Sequence, residues 1–156
     1  MKVHELMNPD VEACLPGDDL ATAAMIMWRR DCGFVPVVEP SSQRVVGVIT
    51  DRDICMATAT KHIAPESLRV EDVMAKDVCL AEADQAVEGA LGTMRSRQVH
   101  RLPVVDHAGQ LRGVLSIADV ARTSPNDAVA NRDLIDTYRA IHQPRTPDAR
   151  KAGFGA

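Results

Sequence analysis

The sequence predicts an α/β (α+β) fold in which two similar units, each ordered β-α-β-β-α, pack as one pseudo-twofold-symmetric domain followed by a C-terminal helix. The stretch GVITDRDI, which starts at Gly47, returns as GVLSIADV at Gly113, 66 residues later (113 − 47). The likeness extends upstream, where VHELMNPDV matches VEDVMAKDV at a shift of 67. Aromatic residues make up only 3% of the chain, so the core must be aliphatic, as in α/β layers.

The first unit, residues 1–60, is expected to hold three short strands and two helices. Its helices are predicted near residues 19–30 and 51–58, and its strands near residues 11–14, 34–38 and 45–49. Leu20, Ala24 and Met27 are spaced by four and then three residues, which is the stripe of an amphipathic helix. Pro36 stands near the start of its strand, where a missing amide proton costs least.

The second unit, residues 70–123, repeats this order after a linker at residues 61–69. Its strands are predicted near residues 78–80, 102–105 and 111–115, and its helices near residues 85–97 and 117–122. The shift falls from 67 to 66 after FVPVVE and RLPVVD, because PSSQRVV carries one residue more than HAGQLR. Turns tolerate such single insertions.

The helix LATAAMIMWRR is apolar nearly all round, so we expect it to be covered on more than one face. A unit of this size cannot cover it alone. The two units are therefore expected to pack face to face in one compact domain.

The C-terminal region is predicted to form a helix over residues 124–143 and a flexible tail over residues 144–156. Leu134, Tyr138 and Ile141 recur at helical spacing, which favours packing onto the module. Ser124 opens a Ser-Pro-Asn-Asp sequence typical of a plain helix cap. The tail carries prolines and glycines and little to bury.

Charge and composition exclude several classes of function. The net charge of −4 disfavours nucleic acid as a partner. No apolar run is long enough for a membrane span and the N-terminus resembles no secretion signal, so we expect a cytoplasmic protein. The four cysteines form no Cys-x-x-Cys pair and the histidines lack ligand spacing, so we expect buried, reduced thiols and no metal site. The cysteines are Cys14, Cys32, Cys55 and Cys79.

A repeated motif follows the last strand of each unit. It reads Thr50-x-x-Asp53 in the first unit and Ser116-x-x-Asp119 in the second. One interpretation is a capping box, in which hydroxyl and carboxylate satisfy free amides at a helix start. The other is a ligand site, in which the hydroxyl and amides bind phosphate and the aspartate accepts both hydroxyls of a ribose. Both interpretations stay open at this point.

Three further residues near these motifs are candidate phosphate ligands. Arg52 lies inside the first motif, where the second has Ala118. His100 and Arg101 precede the strand of the second unit and bring donors that the first unit replaces with Gly33 and Phe34. We therefore expect two unequal sites.

The whole pattern, FVPVVEPSSQRVVGVITDRDI with RLPVVDHAGQLRGVLSIADV, resembles a tandem pair of cystathionine β-synthase (CBS) domains over about residues 1–123. The resemblance implies a Bateman-type module whose two clefts take adenosyl ligands such as AMP, ATP, NAD or S-adenosylmethionine. It gives Thr50, Asp53, Ser116 and Asp119 the phosphate and ribose roles. His100 and Arg101 resemble the phosphate-contacting pair in the nucleotide-sensing subunit of AMP-activated protein kinase, and Val11 and Val78 fall where the family lines the base.

The resemblance implies a non-catalytic, stand-alone signalling protein of bacterial type that senses an adenine nucleotide and acts on a partner, first of all a second copy in a homodimer. The regulated protein is unknown. The alternative is a dimerising scaffold with degenerate clefts that bind no nucleotide. Catalysis is the weakest interpretation, because no Cys-His arrangement is readable and Asp51 and Asp53 diverge on a helix.

Overall fold

A β-hairpin forms the middle of each unit in the computed structural model, which describes residues 1–123 and 128–145. Ser124 and residues 146–156, for which a cap and a flexible tail are predicted, lie outside the described residues. The elements are α1 (Val3–Leu6), α2 (Leu20–Arg30), β1 (Phe34–Val38), β2 (Val45–Thr50), α3 (Asp51–Lys61), β3 (Ala81–Glu82), α4 (Val87–Arg97), β4 (Arg101–Val105), β5 (Leu111–Ser116), α5 (Ile117–Thr123) and α6 (Ala128–Ile141). Short 3₁₀ turns cover Pro65–Ser67 and Val70–Asp72.

The two hairpins have the same register, as the repeat predicts. Strand β1 pairs antiparallel with β2 from Phe34 opposite Thr50, and β4 pairs with β5 from Arg101 opposite Ser116. Both hairpins have a register shift at the end of their first strand, and β3 adds a short parallel pairing to β4. The predicted α+β order is confirmed by this architecture.

The predicted first strands of both units are wrong in extent. Residues 11–14 contribute only a parallel bridge between Cys14 and Val37. The segment leaves the hairpin there, because the amide of Leu15 donates to the carboxylate of Asp18 and starts a turn. In the second unit the pairing begins at Ala81, 67 residues after Cys14, and not at residues 78–80.

Helix α2 buries one face only, which corrects the expectation that it is covered on several. Its N-terminus is capped by Asp19, whose Oδ1 accepts a hydrogen bond from the amide of Thr22 at 2.7 Å. One face is buried in the core of the first unit, through Leu20, Ala23, Ile26 and Met27. The opposite face exposes Met25 (53%) and Trp28 (83%) to solvent.

Each unit is completed by a segment from elsewhere in the chain. Asn8 exchanges two backbone hydrogen bonds with Val114 of β5 (2.9 and 3.0 Å), and Ala75 does the same with Val48 of β2 (2.9 and 3.1 Å). Val3 and Leu6 of α1 lie in the core of the second unit, whereas Leu68 and Val70 lie in the core of the first. The two units are therefore interleaved.

Glycine permits this crossing. A Cβ at Gly47 would lie 2.4 Å from Sδ of Met74, and one at Gly113 would lie 2.6 Å from the carbonyl oxygen of Asn8. A larger residue at Gly113 would meet the backbone of the crossing segment, whereas one at Gly47 would first displace the flexible side chain of Met74.

Helix α6 packs on the second unit, as predicted. Ile141 is buried and Leu134 packs against the second core, while Tyr138 remains more than half exposed. Arg95 of α4 donates to Asp133 Oδ1 at 2.6 Å and to the hydroxyl of Thr137 at 3.0 Å. None of the helices in the described part of the chain has the length and hydropathy needed to cross a membrane.

Candidate functional site

The repeated motif forms a capping box in both units. In the first, the backbone amide and the hydroxyl of Thr50 donate to Oδ2 of Asp53 at 3.0 and 2.8 Å, and the amide of Asp53 donates back to the hydroxyl at 3.2 Å. In the second, the distances between Ser116 and Asp119 are 2.8, 2.5 and 3.1 Å. One carboxylate oxygen of each aspartate is therefore already engaged with its own helix start.

A cavity of about 450 Å³ lies between the two units beside the second motif. This volume falls within the range of small-molecule sites. We call it the inter-unit cavity. Its lining includes five of the predicted residues, which are Val11, Phe34, Arg101, Ser116 and Asp119.

Charges in the inter-unit cavity are mostly paired. Glu12 accepts a hydrogen bond from Arg29 at 2.7 Å, and Asp10 and Asp119 accept from Arg30 and Arg122. Arg101 also lines the cavity and forms no salt bridge with any described residue. It is therefore the guanidinium best placed to receive a phosphate.

The pairing of Asp119 sets a condition on binding. Its Oδ2 is held by the capping box and its Oδ1 accepts from Arg122, so both oxygens have partners. The Asp119 side chain is only 13% exposed, whereas that of Arg122 is 74% exposed. A ribose hydroxyl reaching Oδ1 would have to displace the solvent-exposed arginine rather than the capping bonds.

The resemblance to known proteins agrees with this architecture. The CBS domain family model matches residues 3–59 and 70–126. The chain belongs to the CBS domain family. The uncharacterised protein YlbB of Bacillus subtilis is 30% identical over 154 residues, which are 98% of this chain and 97% of that protein.

Two solved CBS structures show the same fold. The CBS domain pair of protein MJ0100, in complex with 5-methylthioadenosine and S-adenosyl-L-methionine, has a TM-score of 0.70 at 23% identity and covers 78% of this chain and 94% of that one. CBSX2 in complex with AMP has a TM-score of 0.66 at 24% identity and covers 79% and 95% of the two chains.

The first CBS motif is separated from the inter-unit cavity. Thr50, Arg52, Asp53 and Val78 do not line it. They are also absent from a second cavity, of about 590 Å³, on the outer face of α2 and α3. The amide of Arg52 is held by the carboxylate of Asp51 at 2.7 Å. The inter-unit cavity is therefore lined by the hydroxyl and carboxylate residues of the second motif, whereas the second cavity meets the first motif only through Asp51.

The second cavity lies beside Gly33, which takes the place of His100 in the first unit. A Cβ at Gly33 would lie 2.6 Å from Oδ2 of Asp51. Trp28, Cys32 and Arg101 also line this cavity. No donor comparable to His100 fits at this position without moving Asp51.

His100 and Arg101 are adjacent in sequence but have different surroundings. Arg101 lines both cavities, whereas His100 lines neither. The His100 ring lies edge-on to the ring of His142, at 4.8 Å between centroids, just beyond the end of α6. Partial burial, and then the positive charges of His142, Arg101 and Arg145, hold the pKa of His100 below its ordinary value of 6.5.

The sequence missed the ionic lining of the inter-unit cavity. Arg29 and Arg30 were visible as a basic pair at the end of a helix, and Arg122 follows Asp119 by three residues, which is a salt-bridge spacing on a helix. Their meeting with Asp10 and Glu12 depends on the crossing of the first segment, which has no local signal.

The thiols are only partly buried, which corrects their expected burial. Cys14 is buried and burial raises its pKa to about 12, but Cys32 and Cys55 are exposed. Cys32 follows α2 and Cys55 lies on α3, and both line the second cavity. Within residues 1–123 and 128–145, no three His, Cys, Asp or Glu side chains are arranged to hold a metal ion.

Proposed function

We propose that this CBS protein is a regulatory module that binds an adenine nucleotide, of the AMP, ATP or NAD class, in the inter-unit cavity. The observation that carries the proposal is the meeting of Arg101, Asp119 and Ser116 with the apolar side chains of Val11 and Phe34 in one cavity. Cation, carboxylate, hydroxyl and apolar wall are the groups that phosphate, ribose and base require.

Each part of the ligand has a candidate partner. Arg101 binds the phosphate, since a guanidinium presents two parallel donors to an anion. Asp119 accepts the ribose hydroxyls after Arg122 moves away, and the Ser116 hydroxyl supports the carboxylate. Val11 and Phe34 contact the base. The structures of MJ0100 with S-adenosyl-L-methionine and of CBSX2 with AMP support an adenosyl ligand in a fold of this kind.

The first motif would form a second, weaker site. The hydroxyl and carboxylate of Thr50 and Asp53 have the same local geometry as those of Ser116 and Asp119. Arg52 lies inside the first motif, and Val78 is the repeat equivalent of Val11. Because they do not line the inter-unit cavity, the proposal assigns the main binding energy to the second motif.

The proposal assigns binding and no catalytic step to this chain. A nucleotide alters its shape or its association, and the signal passes to a regulated partner protein in the cytoplasm. Self-association into a homodimer fits the apolar face of α2, where Met25 and Trp28 are exposed.

Calorimetric titration with AMP, ATP and NAD tests this proposal. Binding is expected to weaken about tenfold or more in Asp119→Ala, since a charge-assisted hydrogen bond is worth ~1.5–3 kcal/mol. Asp53→Ala is a matched control, because it removes the same capping interactions from the first unit. The proposal would be overturned if none of the three nucleotides bound at millimolar concentration, or if wild type and both variants bound with equal affinity. A larger loss of affinity in Asp53→Ala than in Asp119→Ala would instead assign the main site to the first motif.

A dimerising scaffold is the second candidate function. It is favoured by the capping boxes, which give Asp53 and Asp119 a structural role without any ligand. In this case nucleotides leave the melting temperature unchanged and the protein still associates sharply. A ligand at 100 times its dissociation constant would instead stabilise the fold by ~2.7 kcal/mol.

A further inference from the structure

Helix α6 lies outside the two CBS matches and contacts a residue with a predicted role in the ligand site. The family model ends at residue 126. The described part of α6 and the residues after it lie along α4. Arg95 donates hydrogen bonds to Asp133 and Thr137. The amide of the Gln98 side chain donates to the carbonyl of Ala140 at 3.1 Å, and Arg145 donates to the carbonyl of Gln98. The last contact of this series is the ring pair of His100 and His142.

This contact uses the side chain of His100 for a purpose other than a ligand. The ring of His142 lies between those of His100 and Tyr138, at 4.8 and 4.1 Å between centroids. One imidazole cannot pack against His142 and also turn to a phosphate beside Arg101. The two uses of His100 therefore exclude each other.

We propose that α6 is an autoinhibitory latch, in which His142 holds His100 away from a phosphate-bearing ligand, so that ligand binding and docking of the end of α6 oppose each other. This inference rests on the proposed nucleotide-binding function. By linkage, the factor by which the ligand weakens docking equals the factor by which docking weakens the ligand.

The charges around His100 predict how the docking of α6 depends on pH. The charged groups that act on it are Arg101, which follows it in sequence, and His142 and Arg145 after the end of α6, while the Tyr138 ring contacts His142. Partial burial, and then these cations, lower the pKa of the docked imidazole and so disfavour its protonation. Protonation therefore favours the undocked state, so docking is firm above the ordinary histidine pKa and weakens as the pH falls through about 6.5.

Hydrogen exchange of the α6 amides in the full-length protein tests the latch, together with calorimetry. Addition of AMP is expected to speed exchange in the C-terminal half of α6, and His142→Gln is expected to bind AMP about fivefold more tightly than wild type. Arg139→Gln is the control on the same helix, because Arg139 is exposed and its salt bridge among the described residues is with Asp136. Circular dichroism confirms that each variant is folded. Unchanged affinity in His142→Gln, or slower exchange of α6 with AMP, would overturn the latch while leaving nucleotide binding intact.

A second arm requires no nucleotide. Between pH 7.5 and 5.5, α6 is expected to lose protection after correction for the intrinsic rate of exchange, and His100→Gln is expected to remove this dependence. If AMP does not bind, the autoinhibitory role fails together with the nucleotide proposal, and the pH dependence then shows only that the contact of His100 with His142 holds the end of α6 in place. A flat profile in the wild type rejects the latch.

Discussion

Gly113 lies under the carbonyl of Asn8 so closely that an added Cβ would come within 2.6 Å of that oxygen. The contact joins β5 of the second unit to the N-terminal segment of the first unit. The same crossing carries Val11, Asp10 and Glu12 to the inter-unit cavity. The backbone at this glycine therefore positions the wall of the proposed ligand site.

Gly113→Ala is expected to lower the free energy of unfolding by about 1–3 kcal/mol, because the added methyl overpacks against a backbone oxygen. Urea denaturation measures this change. Gly92→Ala is the matched control, since nothing lies within 4 Å of its Cβ position on α4, and alanine there is expected to be neutral or to stabilise by up to ~1 kcal/mol. Equal effects of the two variants would contradict the packing argument.

Arg95→Met is expected to loosen α6 by about 1–3 kcal/mol, because Asp133 and the buried hydroxyl of Thr137 lose their shared donor. Hydrogen exchange of the α6 amides measures the loss. Arg139→Met removes an exposed ion pair of 3.6 Å on the same helix and is expected to cost less than ~0.5 kcal/mol. If α6 exchanged at the wild-type rate in Arg95→Met, the arginine would not be its anchor.

The strands and helices next to the motifs could be predicted from the sequence, and the crossing segments could not. The pattern of β1 and β4 is local: an apolar run with proline near its start and a turn behind it. Residues 11–14 show a similar apolar pattern, but only Cys14 reaches β1, because the turn at Leu15 and Asp18 ends the pairing. Local propensity carries no information on that competition.

The candidate site, like the fold, could be predicted only in part. Ser116 and Asp119 were found by their repetition, and the structure places them beside a cavity. The first motif repeats the same residues, but Thr50 and Asp53 line neither described cavity. A ligand site also depends on what packs opposite the motif. The neighbour of His100 is a ring 42 positions away, and no spacing rule connects the two.

Cys14 is expected to resist alkylation in the folded protein at pH 8, while Cys32 and Cys55 react. Burial raises the pKa of Cys14 to about 12, so the nucleophilic thiolate is scarce as well as inaccessible. Peptide mass spectrometry after iodoacetamide treatment, with and without denaturant, gives the order of labelling. Native-state labelling of Cys14 at the rate of Cys32 would show that the first core opens readily.

Trp28→Glu is expected to weaken self-association about tenfold or more, since an exposed tryptophan on an apolar face is the kind of residue that dominates interfaces. Sedimentation velocity over a range of protein concentrations measures the dissociation constant. Ile135→Glu supplies the comparison, because it adds the same charge at a half-exposed apolar position on α6. A wild-type dissociation constant in Trp28→Glu would exclude the α2 face from the dimer.

The reciprocal crossing of Asn8 and Ala75 has a consequence for how such a chain could arise. In a polypeptide with only one copy of the repeat, the hairpin strand that carries the glycine would lack its backbone hydrogen-bond partner. A second molecule would have to donate the missing segment. Tandem duplication converts that exchange between molecules into one within a single molecule, where the tether supplies the donor at millimolar effective concentration. The fused product keeps its fold at any dilution, and its two copies are then free to diverge.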